Sequence, residues 1–172
     1  GCTSLKEVKV GTLVGDLGEK AFHGCSNLTS VEFARGPQKI GSKLFTLADN
    51  LENFVVGEGA SEISNNVFHA YKVVYTQSPW GGTQVEEVDI DRQALKRVVL
   101  PESLQKIGSE AFYRCTSLSE LTIPQGVTSI GASAFHGCAG LSNIEVPNGV
   151  TGLAAKTFGG CSSLENIALP NG

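Results

Sequence analysis

A single nonapeptide recurs at a fixed interval, and this interval restricts the fold more than any individual residue does. The chain reads IGSEAFYRC at residues 107–115, IGASAFHGC at residues 130–138 and LAAKTFGGC at residues 153–161, so each copy begins 23 residues after the previous one. Repeats of about 20–50 residues are typical of stacked arrays in which each unit contacts only its neighbours. The sequence therefore predicts a repeat solenoid.

The same register extends over the whole chain. Counted from the cysteine position, the units begin near residues 2, 25, 48, 71, 92, 115, 138 and 161. The unit that begins at residue 71 is only 21 residues long, and we interpret it as a degenerate copy in which Pro79, Val85 and Ile90 roughly keep the spacing of the other units. The prediction is a single solenoid domain over residues 1–172 with about seven and a half repeats.

Each unit contains three recognisable segments. The pattern L-x-x-L-x-L ends in an apolar–polar–apolar alternation that predicts a half-buried strand, and parallel strands of successive units stack into one sheet face. The pattern V-x-x-I-G predicts a second short strand or a turn, in which the glycine permits a bend. The pattern A-F-x-x-C predicts a tight turn or a single helical turn that directs the phenylalanine inward. The apolar positions of all units, including Val14, Leu153, Ile167 and Leu169 near the ends, are expected to form one continuous core.

The residues LSELTIPQGVTSIGASAFHGC, at 118–138, closely resemble the BspA-like leucine-rich repeats. This resemblance implies a curved, right-handed coil that usually belongs to a longer secreted or surface-anchored protein of bacteria or protists. It also implies adhesion or ligand binding without enzymatic activity, in an extracellular or cell-surface location.

Composition excludes several classes of partner. The net charge of −4 and the pI near 5.4 argue against nucleic acid and anionic membranes, which both require a basic patch. No apolar run approaches the roughly 18 residues of a membrane span, so we expect no membrane insertion. The chain has no methionine and no polar cap at either end, which suggests a segment of a longer protein, or end-to-end self-association through uncapped ends.

The cysteines and histidines occupy equivalent repeat positions. The five cysteines, at 2, 25, 115, 138 and 161, are expected to form a buried, reduced column, because parallel thiols about 4.8 Å apart suit neither disulfides nor a tetrahedral metal. A lipidated Cys2 is the minor alternative. The histidines His23, His69 and His136 are expected to lie solvated along one edge of the coil, too far apart to share a metal.

No pattern of catalysis or cofactor binding occurs in the sequence. It contains no phosphate-binding glycine loop, no dinucleotide fingerprint and no catalytic triad spacing, so we expect no enzyme and no cofactor. The first hypothesis is a non-catalytic extracellular interaction or adhesion module that binds a protein or glycan, host-derived ones included. The alternative is a structural spacer within a larger surface-anchored protein.

A contact zone is predicted near the middle of the chain. Alternation along the strands directs Val55 and Val99 outward on an otherwise polar face, on either side of the short unit. That unit contains Trp80, which is either an exposed contact residue or a plug for the core, and the acidic run VEEVDID, which is interpreted as a solvated face rather than a calcium site. The candidate partner-binding residues are Asn53, Val55, Tyr75, Trp80, Glu87, Asp89, Arg97 and Val99.

Overall fold

The computed structural model describes residues 1–170 as a parallel β-solenoid, and the last two residues of the predicted 1–172 domain lie outside the described part. Thirteen strands occur in it, most of them only two to four residues long. They are β1 Glu7–Val10, β2 Ser30–Phe33, β3 Lys39–Ile40, β4 Asn53–Val56, β5 Glu62–Ile63, β6 Tyr71–Gln77, β7 Thr83–Asp89, β8 Arg97–Val99, β9 Lys106–Ile107, β10 Glu120–Leu121, β11 Ser129–Ile130, β12 Asn143–Glu145 and β13 Asn166–Ala168.

Two parallel sheets run along the coil, as the repeat pattern predicts. The first strands of successive units form the order β1-β2-β4-β8-β10, and β12 pairs with β13 at the same repeat position. The V-x-x-I-G segments form a second sheet in the order β11-β9-β5-β3. The A-F-x-x-C segments are turns; for example, the amide of Cys115 donates to the carbonyl of Phe112 at 3.2 Å. No helix occurs among residues 1–170, and the predicted solenoid with a parallel face is confirmed.

Residues 71–91 are not a turn of the coil. Asn53 of β4 pairs directly with Arg97 of β8, and Glu62 of β5 with Lys106 of β9; both intervals are 44 residues, one 23-residue unit plus the 21 residues in question. The 21 residues contain an antiparallel hairpin, β6 with β7. The interpretation as a degenerate copy is therefore wrong. Six complete units and the start of a seventh make up the coil, and the hairpin is an insertion between the third and fourth.

A column of phenylalanine rings runs through the coil and passes the insertion without interruption. Stacked neighbours are 5.2 to 5.8 Å apart, and the pair across the insertion, Phe68 and Phe112, is as close as any at 5.2 Å. The rings of the column are Phe22, Phe45, Phe68, Phe112, Phe135 and Phe158. Each inner ring packs between the rings of the neighbouring units, so burial is shared between units, as a solenoid requires.

The remaining apolar positions form one core, except at the ends. Phenylalanine, leucine, isoleucine and valine side chains of the middle units are almost fully buried. By contrast, Val14 is 38% exposed, Leu153 42%, Ile167 40% and Leu169 55%. These four residues belong to the first unit and to the last two units. At the ends of the described coil, fewer neighbouring units pack against them. The expected continuous core therefore holds for the middle units and not for these positions.

The glycine of the I-G pair allows the backbones of adjacent units to approach closely, and it does not form a bend. Gly41, Gly108 and Gly131 are not among the residues with positive φ. A Cβ on Gly131 would lie 2.4 Å from the amide nitrogen of Ser109 in the preceding unit, and Gly108 is equally confined by Ser64 and Asn65. Glycine is required here because the backbones of adjacent units almost touch.

Candidate interaction surface

The hairpin projects from the coil and exposes most of its apolar side chains. Its tip is closed by a hydrogen bond from the amide of Ser78 to the carbonyl of Gly82 at 3.0 Å, and Gly81 and Gly82 have φ of 85° and 94°. Such φ values favour glycine and explain the Trp-Gly-Gly sequence at the tip. Trp80 is 95% exposed, which excludes the alternative in which it plugs the core.

Apolar residues continue from the tip along one face of the hairpin. Tyr75 and Val85 are directly opposite each other in the register and are 70% and 63% exposed. Val73, on the same face, is 41% exposed and lies opposite Glu87. Exposed large apolar residues that are grouped in this way mark an interaction surface more often than scattered ones do.

The base of the hairpin is attached to the turn edge of the coil. His69 Nε2 lies at hydrogen-bonding distance, 2.7 Å, from Asp89 Oδ1, and His69 Nδ1 lies 3.7 Å from Glu110 Oε2. Arg114 Nε donates to Asp91 Oδ1 at 2.6 Å, and this hydrogen bond raises the pKa of Arg114. These contacts connect the hairpin to the unit before the insertion and to the unit after it.

The histidines share this edge but are not simply solvated. All three are half-buried, and Nδ1 of both His23 and His136 is buried without a hydrogen-bond partner among the described residues. Tyr113 takes the equivalent position in the fourth unit, and its ring lies 5.3 Å from that of His69 and 5.3 Å from that of His136. His69 and His136 are therefore two units apart rather than the three units that follow from counting a unit at residue 71.

The cysteine column is buried in the middle of the coil. All five cysteines are free; Cys25, Cys115 and Cys138 are buried, Cys161 is half-buried and Cys2 is exposed. Cys138 Sγ donates to the carbonyl of Phe112 at 3.1 Å, and Cys161 Sγ to that of Phe135 at the same distance. Burial raises the pKa of the Cys115 thiol to about 12 and that of Cys138 well above its ordinary value. These thiols are neutral, weakly nucleophilic core residues at neutral pH.

The sheet face is a separate surface from the hairpin. The register places Asn53 beside Arg97 and Val55 beside Val99, so the two valines are neighbours on adjacent strands rather than residues on either side of an intervening unit. Both valines are half-buried. Arg97 Nε lies 3.4 Å from Glu120 Oε2 on the next strand.

The eight candidate residues therefore fall on two surfaces and not in one site. The group on the sheet face is Asn53, Val55, Arg97 and Val99, and the group on the hairpin is Tyr75, Trp80, Glu87 and Asp89. β6 and β7 pair only with each other, and the base of the hairpin contacts the turn edge, away from the strands of the first sheet. Sequence reasoning missed the residues that attach the hairpin, His69 and Arg114, and Glu110 beside His69. The signal for one of them was a histidine at the turn position directly before the irregular segment.

Neither surface has the features of a metal site or a membrane span. Within residues 1–170, no group of three or more His, Cys, Asp or Glu side chains is arranged to hold a metal ion. In the same part of the chain, no helix has the length and apolar character needed to cross a bilayer.

Solved structures of bacterial leucine-rich repeat proteins have the same fold. The leucine-rich repeat protein of T. pallidum, TpLRR, is 30% identical with a TM-score of 0.74, over 94% of this chain and 64% of that one. A leucine-rich repeat protein from Bacteroides ovatus is 25% identical with a TM-score of 0.64, over 96% of this chain and 46% of that one. The chain thus spans less than two thirds of the length of either protein. The pneumococcal vaccine antigen PcpA, 20% identical with a TM-score of 0.58, shares the fold over 95% of this chain and 44% of its own.

No curated protein is similar enough in sequence to count as a match. The family pattern described as "BspA type Leucine rich repeat region" matches the chain in six copies, over residues 1–88 and 90–172. The chain belongs to the BspA-type leucine-rich repeat family.

Proposed function

We propose that the chain is a non-catalytic interaction module that binds a protein or glycan partner outside the cell, and that the inserted hairpin is the principal contact. The observation that carries the proposal is that Trp80 is 95% exposed at the tip of the hairpin. The hairpin takes no part in the strand pairing of the coil, because β4 pairs directly with β8. Tryptophan is among the residues that contribute most to binding energy at protein interfaces. A large apolar side chain that is almost fully exposed to water at this turn has no role in the core.

The family supports the non-catalytic part of the proposal. Leucine-rich repeat proteins are generally binding scaffolds that change partners through exposed residues on a constant coil. The extracellular or cell-surface location follows from the resemblance to the BspA-like repeats and is part of the proposal. The sheet face, with Val55 and Val99 side by side, is the second surface on which a partner could lie.

The experiment compares variants that separate the two surfaces. Fluorescently labelled chain is applied to a glycan array and to an array of purified extracellular proteins. We expect binding to at least one spotted ligand, lost in Trp80→Ser and retained in the double variant Val55→Ser and Val99→Ser. The parent and Trp80→Ser should melt at nearly the same temperature, since Trp80 is 95% exposed. The double variant replaces two half-buried valines, and its binding is measured at a temperature at which its own melt shows it to be folded. If Trp80→Ser binds as the parent does and the double variant does not, the sheet face is the contact.

The unbroken column of phenylalanine rings favours the spacer as a second candidate function. Six stacked rings and continuous sheets make the coil a stiff element, which is what a spacer requires. A spacer predicts that no ligand on either array binds the chain above background, for the parent and for both variants.

A further inference from the structure

We propose that the free edge of β7 binds an extended, basic segment of a partner protein, which pairs with it as a third strand of the hairpin. The inference rests on the proposed interaction function and names the partner class for the same hairpin. It depends on three properties of β7: an unpaired backbone edge, an apolar face beside that edge, and carboxylates that no cation neutralises.

The hydrogen-bond pattern defines which backbone groups point outward. In an antiparallel pair, residues that bond to the opposite strand alternate with residues whose N–H and C=O groups point away from it. The amide of Ser78 donates to the carbonyl of Gly82, and the amide of Ile90 to that of Ala70, each at 3.0 Å. With the observed register, even-numbered residues are the bonded ones, so the backbone groups of Thr83, Val85 and Glu87 point to the outer edge of β7.

This edge is accessible over most of its length. β7 pairs only with β6, and residues 83–87 are all exposed. An extended peptide that pairs with such an edge gains main-chain hydrogen bonds, while its alternate side chains contact one face of the sheet. On that face, the incoming strand would lie beside Val85 and Glu87, and Tyr75 of β6 continues the apolar face on the far side of Val85.

The charges of β7 select the partner. The strand has two adjacent exposed carboxylates, Glu86 and Glu87, and contains no lysine or arginine. Neither carboxylate forms an ion pair among residues 1–170, although Glu87 lines a small cleft with Lys43. Glu86 and Glu87 project to opposite faces of the hairpin. Lysine or arginine at alternate positions of an incoming strand would lie beside Glu86 on one face, while the intervening apolar residues pack on Val85 on the other, since opposite charges on neighbouring strands attract.

The same charges disfavour a second copy of the chain as the occupant. Two β7 strands paired along their free edges would bring four glutamates and two aspartates together. Like charges on adjacent strands destabilise a pair. A glycan has no row of backbone donors and acceptors to match the edge, so the edge favours a protein strand over a sugar.

The test uses proline at two matched positions. Val85→Pro removes an outward amide from the edge of β7, whereas Val73→Pro makes the same change on the edge of β6; proline is tolerated where the lost N–H faces solvent. The probe is an end-blocked heptapeptide of alternating lysine and valine. Its binding to the whole chain is followed by the fluorescence of Trp80, the only tryptophan, at low ionic strength.

We expect saturable binding that is weakened about tenfold or more by Val85→Pro and less than about twofold by Val73→Pro. A heptapeptide of alternating glutamate and valine should not bind. A peptide with four lysines and three valines in blocks should bind much more weakly, because it cannot alternate. Equal effects of the two proline variants, or equal binding of the blocked-order peptide, would overturn the third-strand geometry.

A charge variant decides the question if Val85→Pro disturbs the hairpin. The double variant Glu86→Gln and Glu87→Gln keeps the shape of both side chains, and we expect about threefold to tenfold weaker peptide binding with a smaller salt dependence. Unchanged binding would overturn the charge-based assignment. If no basic peptide binds while Trp80→Ser still abolishes binding on the arrays, this inference fails and the proposed function stands.

Discussion

Arg92 Nη2 donates a 2.9 Å hydrogen bond to the carbonyl oxygen of Phe45, which is the bond that a cysteine thiol makes in other units of the coil. Arg92 occupies the cysteine position of the fourth unit and is 1% exposed. Its Nη1 also donates to the carbonyl of Ala48 at 2.6 Å and its Nε to that of Phe68 at 3.3 Å. Burial lowers the pKa of Arg92, and the nearby Cys115 and Asp49 oppose this effect. One guanidinium therefore bonds three carbonyls beside the insertion.

Arg92→Ala should lower the free energy of unfolding by about 3–5 kcal/mol, because it leaves the carbonyl of Phe68 without a donor, removes the second donor of the Phe45 and Ala48 carbonyls and opens a cavity. Arg35→Ala is the matched control, since Arg35 is exposed, and should change the free energy by less than about 0.5 kcal/mol. Urea unfolding of both variants measures the difference. A loss below about 1 kcal/mol for Arg92→Ala would show that water replaces the guanidinium at these carbonyls.

Phe135→Ala should cost about 3–5 kcal/mol of stability. The ring is fully buried and stacks on Phe112 at 5.2 Å and on Phe158 at 5.5 Å. Phe22→Ala, which removes a half-buried ring stacked on Phe45 alone, should cost less than half as much. Thermal melts of the two variants test this order, and a Phe135→Ala protein that melted within a degree or two of the parent would contradict the inward assignment of the Ala-Phe pair.

Gly131→Ala should destabilise the coil by about 1–3 kcal/mol, because the new Cβ would lie 2.4 Å from the amide nitrogen of Ser109. Gly152→Ala is a control with the same chemical change, since no heavy atom lies within 4 Å of its Cβ position. It should be neutral or stabilise slightly, by up to about 1 kcal/mol. Chemical denaturation measures the free energy of unfolding of both proteins. If glycine were needed at both positions for backbone flexibility rather than for close contact between units, the two changes would lower this free energy equally.

Stability should fall at alkaline pH in a way that depends on Cys115. Burial raises the pKa of this thiol from 9.0 to about 12, so the folded state favours the neutral form. The stabilisation is fully present below pH 9, where the unfolded chain also holds the proton, and is lost as pH rises towards about 12, at about 1.4 kcal/mol per pH unit. Unfolding curves at pH 8 to about pH 11 should be less pH-dependent for Cys115→Ala than for the parent. The exposed Cys2→Ala controls for loss of a thiol and should follow the parent.

Excision of residues 71–91 should leave the coil folded, with a melting temperature within about 5 °C of the parent. The join of Ala70 to Arg92 restores the 23-residue interval, and β4 already pairs directly with β8 across the insertion. Removal of residues 115–135, also 21 in number, should instead unfold the protein, since it shifts every later unit by two residues. Circular dichroism melts test both variants. If both deletions unfolded the chain, the hairpin would be an integral part of the coil.

The solenoid could be predicted from the sequence because each unit repeats the same apolar positions, which fixes both the strands and the Phe column. The hairpin could not be found from spacing alone. Its 21 residues are nearly as many as the 23 of one unit, and valines such as Val85 fall close to positions that are apolar in the other units. The available signals were two stretches rich in β-branched residues, Tyr71–Gln77 and Thr83–Asp89, around a turn sequence that contains Pro79 and Gly81.

The arrangement of the candidate residues could not be predicted from the sequence. Trp80 and Tyr75 are exposed, but their separation from Val55 and Val99 depends on where the hairpin leaves the coil, and only the three-dimensional register gives this. The role of Arg92 could not be predicted either. An arginine at a cysteine position suggests that the repeat has diverged, and not that the side chain is a buried hydrogen-bond donor.

The amide of Ile90 donates to the carbonyl of Ala70, so the chain leaves the coil and returns to it at adjacent backbone positions. The pairing of the third unit with the fourth therefore does not depend on the number of residues between these two. Closing a longer loop between the same points costs little additional entropy, since that cost grows only logarithmically with length. We therefore expect that another segment inserted between these two residues would leave the two sheets and the phenylalanine column of the coil in place.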